Sequence, residues 1–221
     1  DITADVLTLT AATGIGSTTT LDIEAATLDA SVTAVGNLVL DELSAINLLD
    51  VDTANGFITI TTGGAAILTD VQSLTDADAN DITVTVLGGG AEIGTVNAGA
   101  TAGDVVLAVL AGAVTDADDN SLITADDLTI AAFAAIGASG ALNINTSAVE
   151  YLAIGSATGG IFLNETNDVL ASLVTTATDV DANDIEITSG GTVSIGVAGI
   201  AAGAGAAADV TITAATSILD A

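Results

Sequence analysis

Lysine, arginine and histidine are absent from this chain of 221 residues, as are cysteine, methionine, proline and tryptophan, while aspartate and glutamate number 29. With a formal charge of −29 and no side-chain cation, no side-chain salt bridge can form. Each carboxylate has to face water, accept hydrogen bonds from neutral donors, or bind a metal ion from solution. Nucleic acid is excluded as an expected partner, because Lys and Arg drive phosphate binding by releasing counterions. An anionic membrane surface is disfavoured on the same ground. Catalysis loses its usual parts, since there is no His base, Lys nucleophile, Cys thiolate or Arg clamp, and the chain is expected not to be an enzyme.

Without cysteine there is neither a disulfide framework nor a thiolate metal site. One Tyr and three Phe are the only aromatics. High charge with few aromatics favours disorder, but half of the residues are hydrophobic and the mean hydropathy is +0.74. No apolar run reaches the length of roughly 18 residues that a membrane span needs, so membrane insertion is not expected. The sequence opens at Asp1 without a basic n-region or an apolar h-region, which reads as a processed product or a piece of something longer. The missing sulfur and the missing cleavage sites for Lys/Arg-directed proteases suit an extracellular or cell-surface setting.

What the chain does contain is repetition. Ile2–Leu28 aligns without a gap on Ile123–Val149, with identities that include Ile2/Ile123, Asp5/Asp126, Leu7/Leu128, Ile15/Ile136 and Ile23/Ile144. The match continues with small insertions: Leu38–Glu42 corresponds to Ile161–Glu165, and Ile58–Gly64 to Ile185–Gly191. Residues 2–64 thus resemble 123–191, nearly two copies of a unit of about 125 residues. Within the unit runs a finer beat. Short alternating stretches rich in β-branched residues occur at Val6–Thr10, Leu21–Glu24, Leu38–Asp41, Phe57–Thr61, Ile82–Val86, Val105–Val109, Leu128–Ile130, Leu142–Asn145, Ile161–Leu163, Ile185–Thr188 and Val210–Thr213, separated by Gly, Asn and Asp. Helical periodicity is lacking.

One main strand per roughly 20 residues predicts an all-β fold, a parallel β-solenoid of about 11 coils running continuously through residues 1–221. Small aliphatic side chains fit a narrow solenoid interior, and a chain without proline keeps every N–H donor for the ladders. The alternative is a pair of tandem β-sandwich domains, whose cores would call for more aromatics than four.

The residues with metal-ligand spacing are in Asp-rich loops. Thr75–Ile82 carries Asp76, Asp78, Asn80 and Asp81 and recurs as Thr178–Ile185 with Asp179, Asp181, Asn183 and Asp184; a third version carries Asp116, Asp118 and Asn120. D-x-D-x-N places three side-chain oxygens at alternate positions, which suits a hard cation such as Ca²⁺ wrapped by a loop. No Glu follows at the EF-hand distance. The same residues also make plain turns through side-chain to backbone bonds, and both readings stand at this point. Thr runs such as Thr59-x-Thr61 and Thr83-x-Thr85 admit an ice-binding ladder, although Thr on an outward strand face is ordinary. Glu42 and Glu165 occupy equivalent positions many residues apart, not the facing pair of a glycosidase. Gly88–Gly90 lacks the Lys and the strand–helix context of a phosphate loop and reads as a coil corner.

The phrases Leu7–Gly16, Thr75–Thr83 and Val210–Asp220 resemble the tandem repeats of very large bacterial surface proteins, the filamentous-haemagglutinin-like and haemolysin-type calcium-binding adhesins. The resemblance runs over essentially the whole chain. It implies a right-handed β-helical shaft, extracellular placement and a role in attachment or in a biofilm matrix, with a surface or a polysaccharide as the ligand class. The glycine-rich nonapeptide of the calcium-binding repeats is absent, so that metal geometry does not carry over. Ser217–Ala221 resembles Gly112–Ala117, whose sequence runs on into Ile123–Asp126, the counterpart of the chain's own start. Head-to-tail association of the chain with itself, as a filament or a tandem array, is therefore expected.

Overall fold

The inward-facing residues of this chain lie in rows. Leu38, Ile58, Ile82, Val105 and Leu128 are register partners in successive strands, and all are at most 3% exposed. Two residues on, Leu40, Ile60, Val84, Leu107 and Ile130 form a second such row. Each row stacks like side chains on like at the ~4.8 Å spacing of neighbouring strands. The computed structural model in which these rows appear describes all residues from 1 to 221 except 179, 204 and 206. Twenty parallel strands wind as a β-solenoid of about nine turns with roughly 23 residues per turn, and no helix occurs among the described residues.

The strands stack in two ladders of one sheet. The first begins with the opening residues of β2 (Leu21–Val35) and continues through β3 (Leu38–Glu42), β5 (Ile58–Thr62), β7 (Ile82–Val86), β9 (Val105–Val109) and β12 (Asp127–Ala132). It ends with β14 (Tyr151–Ser156), β16 (Val169–Thr176), β18 (Val193–Ala202) and β20 (Ile218–Asp220). The second ladder runs from β1 (Ile2–Ala11) through β2, β4 (Ile46–Asn55), β6 (Ala66–Ser73) and β8 (Ala91–Asn97). Its remaining members are β10 (Val114–Thr115), β11 (Leu122–Thr124), β13 (Ile144–Ser147), β15 (Ile161–Glu165), β17 (Ile185–Ser189) and β19 (Val210–Ala214).

Two corrections to the sequence reading follow. A turn holds roughly 23 residues rather than 20, so there are about nine turns rather than 11. Each turn also carries strands on both ladders. Each of the eleven stretches read from alternation overlaps a strand, Leu142–Asn145 only through Ile144 and Asn145; β4, β6, β8, β10, β11, β14, β16, β18 and β20 were not anticipated. The physical reason is visible in β4, β6, β8 and β16, which bend around a corner. Two consecutive residues point outward at each bend, Leu49 and Asp50 in β4, Thr69 and Asp70 in β6, Gly94 and Thr95 in β8, Ser172 and Leu173 in β16. This pair breaks the period of two on which recognition of a strand depends.

The long repeat has an unexpected phase. Straight strands β3 and β5 occupy the first ladder, whereas their sequence counterparts β15 and β17 occupy the second. The bent strands change places likewise, β4 and β6 on the second ladder against β16 and β18 on the first. A unit of about 125 residues is thus about five and a half turns, and the second copy sits rotated by half a turn around the same core.

The interior is aliphatic, and no aromatic ring is buried in it: Phe133 and Tyr151 are exposed, Phe57 and Phe162 intermediate. Corners are tight enough to require glycine. A Cβ on Gly63 would lie 2.1 Å from the Leu43 carbonyl oxygen of the preceding turn, and one on Gly112 would lie 2.4 Å from the Gly89 oxygen. Core and surface alternate residue by residue, which gives the first prediction. Leu128→Ala is expected to cost about 2–5 kcal/mol of stability in urea unfolding, and Thr129→Ala, one residue on and exposed, less than about 0.5 kcal/mol. Similar losses at both positions would contradict the register.

Candidate functional site

The D-x-D-x-N loops close on themselves. Asn80, 3% exposed, donates from Nδ2 to the Thr75 carbonyl (2.8 Å) and to Asn55 Oδ1 (3.0 Å). Asn183, its repeat counterpart, donates in the same way to the Thr178 carbonyl (2.9 Å) and also reaches the Thr178 hydroxyl. Asp76 reaches the next turn, where its Oδ2 accepts from the N–H groups of Ala100 and Thr101 and from the Thr101 hydroxyl, and its Oδ1 from the Gly103 N–H. The Thr101 hydroxyl is the main reason that the Asp76 carboxyl is held below its ordinary pKa, against a small opposing effect of burial and with the help of the three N–H groups. Asp116 is 3% exposed and holds its own loop: Oδ1 accepts from the N–H groups of Asp118 and Asn120, Oδ2 from the N–H and hydroxyl of Ser121. Burial pushes the Asp116 carboxyl up, but these donors together outweigh it and leave it lowered. Asp78, Asp118, Asn120 and Asp181 are exposed. Asp179 lies outside the described residues. In these loops the turn chemistry of Asp and Asn is what the geometry displays.

Asp81 and Asp184 do something different. Each precedes a strand, and each accepts the N–H of the residue stacked on it one turn later: Asp104 N–H to Asp81 Oδ1 at 3.1 Å, Asp209 N–H to Asp184 Oδ1 at 2.9 Å. On the first ladder the series continues with Asp127 N–H to Asp104 Oδ1 at 3.2 Å. Asp81, Asp104 and Asp127 therefore form a column of carboxylates parallel to the rod axis. At its end Asp104, Asp126 and Asp127, all half-buried, bring a carboxylate oxygen each to within 4.8 Å of one another. Among the described residues this is the one group of three or more acidic side chains so close. Burial first, then the charges of Asp81 and Asp78, push the Asp104 carboxyl above its ordinary pKa, although the Asp127 N–H opposes them. Burial and then the charges of Asp104, Asp126 and Glu150 do the same to Asp127. Asp50 on the second ladder is raised by burial and by its neighbours Asp52, Asp70 and Asp29. Sequence reasoning put Asp81 in a loop motif and missed Asp104, Asp126 and Asp127. The signal that identifies the column is the separation of 23 residues from Asp81 to Asp104 and again from Asp104 to Asp127.

Two carboxylates are buried in the walls. Glu42 is 3% exposed; its Oε2 accepts from the Ala25 N–H (2.8 Å) and its Oε1 from the N–H and hydroxyl of Ser44. Glu165, 2% exposed, accepts from the N–H groups of Ala148 (3.1 Å) and Asn167 (3.0 Å) at Oε1 and from the Thr146 hydroxyl (2.7 Å) at Oε2. In both repeats a Glu thus ties the N–H seventeen residues before it, on the preceding turn, to the N–H two residues after it. Ala148 adopts φ 63°, a left-handed conformation that costs a non-glycine residue energy and that the Glu165 bond helps to hold.

An open surface depression of about 800 Å³ is lined by Glu150, Asp168, Asn167, Thr192 and Ser194 among others, with no aromatic ring. No helix of the described residues is long and apolar enough to cross a membrane. No family model, no curated protein and no solved structure matches the chain.

Two expectations follow. Because Asp104, Asp127 and Asp50 have raised pKa values, the folded state retains protons that the unfolded chain has released. Between the ordinary 3.8 and their folded values, stability falls as pH rises. Asp76 and Asp116 have the opposite sign: their contribution is present above 3.8 and is lost as pH falls through their lowered values. The melting temperature is thus expected to rise on acidification from neutral pH towards 3.8 and to fall below it. A steady decrease from neutral pH downward would contradict this. In the wall, Glu165→Ala leaves the Thr146 hydroxyl and two N–H groups without their acceptor and is expected to cost about 2–4 kcal/mol. Glu165→Gln, which keeps one acceptor oxygen, should cost less. An alanine variant within about 0.5 kcal/mol of the parent in urea unfolding would show that water replaces the carboxylate.

Proposed function

We propose that this chain is a structural, non-catalytic segment of an extracellular bacterial fibre, an adhesin shaft or a biofilm matrix filament, stiffened by calcium. The observation that carries the reading is the half-turn phase of the long repeat. A duplicated stretch continues the same two ladders and the same core without a break, although it enters on the other side of the rod. Length can therefore be added by repetition, which is the requirement for a shaft. The end turns fit axial continuation. Ile2, Leu7, Leu9 and Ala11 at one end and Ile200, Ala202, Ile212 and Ala214 at the other are only partly buried, whereas the interior rows are closed. A further turn, from a second copy or from a longer polypeptide, would cover them and pair the outer strand edges.

The calcium proposal shifts in emphasis. The D-x-D-x-N carboxylates Asp76 and Asp116 already have donors within the loops, so the column of Asp81, Asp104, Asp126 and Asp127 is the better supported place for an ion. Half-buried like charges in contact repel, and a divalent cation relieves that repulsion and stabilises the folded state by mass action. Scanning calorimetry at low ionic strength is expected to show a melting temperature higher by several degrees in millimolar Ca²⁺ than in chelator. Asp104→Asn should raise the melting temperature in chelator, because one repelling charge is gone, and should shrink the calcium increment. An unchanged melting temperature on chelation would overturn the calcium reading. Short globular particles in electron micrographs of the native material, in place of long thin fibres, would overturn the shaft. Turnover of any acidic or neutral polysaccharide would restore the enzyme alternative.

A further inference from the structure

We propose that the outer face of the first ladder, between β3 and β14, together with the corner that follows it, is a lateral contact surface for a second copy of this chain, paired antiparallel across a two-fold axis. The contact is independent of axial stacking and lies on a different surface.

Charge singles out this face. Over six turns its outward residues are drawn almost entirely from Thr, Val, Ala and Gly. Thr59 stacks on Thr83, Thr61 on Thr85, Thr83 on Val106 and Thr85 on Ala108, in a register free of bulges from β3 to β12. Asp41 in the first of these turns and Asp127 at the start of β12 are the two acids among the outward positions of these strands. The corner segments 43–45, 63–65, 87–90, 110–113, 133–135 and 157–160 contain no acid at all. In a chain of net charge −29, the middle of this face and the corner after it let two copies meet with few opposed carboxylates; at the leading margin, where Asp81, Asp104 and Asp127 stand, like charges still oppose the pairing.

The surface is also apolar where it is most prominent. The ladder extends one residue into the corner, through the N–H groups of Leu43, Gly63, Leu87, Leu110, Phe133 and Ala157, each bonded to the turn before. These residues form a ridge along the rod. Leu43 is 73% exposed, Leu87 50%, Leu110 56% and Phe133 51%. A ridge of this kind marks an association surface.

Self-complementarity identifies the occupant. A two-fold axis lying along the strand direction between β7 and β9 reverses the order of the turns while keeping each position along the strand. Leu43 of one copy then faces Ala157 of the other, Phe133 faces Gly63, and Leu87 faces Leu110. Large meets small at four of the six levels, and Leu meets Leu at the centre. Asp41 falls opposite the Gly155 level and opposes no acid. Six turns at ~4.8 Å and about eight residues of width give a patch of roughly 29 by 25 Å, roughly 700 Å² per copy. The total of about 1,400 Å² lies within the range of specific interfaces. The face carries open depressions, one beside Leu43, Gly63 and Leu87 and one beside Leu110 and Phe133, and Phe133 is the single ring of its ridge, so a sugar chain has fewer rings to stack on than a matching sheet has side chains to meet. Such an isologous contact closes at two copies, unlike axial stacking, which is open-ended.

Long-range repulsion between two such anions opposes the pairing and is screened by salt. Analytical ultracentrifugation of the full chain is therefore expected to show monomer at about 0.05 M NaCl and a growing fraction of dimer, with no larger series, towards about 0.5 M. Leu110→Glu, at an exposed site, should weaken the dimer at least about tenfold with an unchanged melting temperature. Phe133→Ala should weaken it as well. Ile67→Glu, at an equally exposed apolar site on the second ladder, should leave it unaltered. A monomer at every ionic strength overturns the proposal, as does a dimer that responds to Ile67→Glu and not to Leu110→Glu. Ice shaping by the monomer that Thr85→Glu abolishes would also overturn it and would assign the face to ice.

Discussion

A carboxylate that has no cation to pair with must be solvated by water or by neutral donors, and this single constraint organises the molecule. Where acids lie in the walls, the donors are backbone N–H groups at turns. Asp116 takes three from its own loop, Asp76 three from the next turn, and Glu42 and Glu165 two each. A parallel solenoid supplies such donors in abundance, because every corner leaves N–H groups outside the ladders. In a chain with lysines these positions could be held by ion pairs; here the backbone does the work of the missing cations. The buried acids are accordingly part of the fold's hydrogen bonding.

Stacking also makes the acids neighbours. Strands ~4.8 Å apart bring any residue type that recurs once per turn into a column. A recurring Thr or Val gains from this, as at Thr59 and Thr83, whereas a recurring Asp is repelled. The column of Asp81, Asp104 and Asp127 offsets part of the repulsion by using each carboxylate to accept the next residue's N–H. The rest appears as raised pKa values at Asp104 and Asp127. From β3 to β14 acids gather at the corner that precedes the first ladder, and the corner that follows it is free of them; after β16 the following corner carries Asp181 and Asp184.

Much of this was legible in the sequence. The parallel β-solenoid follows from short β-branched stretches, the lack of proline and the small aliphatic core, and each of the eleven alternating stretches overlaps a strand. The bent strands were not legible, since the paired outward residues at each corner, such as Thr69 and Asp70, erase the period of two. Missing them shortened the apparent turn to about 20 residues. That error hid the acidic column, which becomes evident only at a spacing of 23. The Asp-rich loops were correctly placed between strands, but spacing alone cannot distinguish a carboxylate that wraps an ion from one that accepts N–H groups, as Asp76 and Asp116 do. The buried role of Glu42 and Glu165 was equally hidden, because both appear as polar residues at the end of an alternating run and only the turn below supplies their donors.

The half-turn phase of the long repeat limits what repetition can propagate. Inward rows are interchangeable, since Leu38 and Ile58 on the first ladder have Ile161 and Ile185 as counterparts on the second. The outer faces are not interchangeable. The counterpart of the Thr-rich face carries Asn164 and Glu186, and the corner after β15 carries Asp168. A further copy would return a given face to the same side of the rod only after two units, about 11 turns or roughly 53 Å. Selection for one unbroken binding face along the rod would favour a repeat of whole turns. A repeat of five and a half turns conserves the core and lets the surfaces diverge, which is the pattern that the proposed shaft calls for.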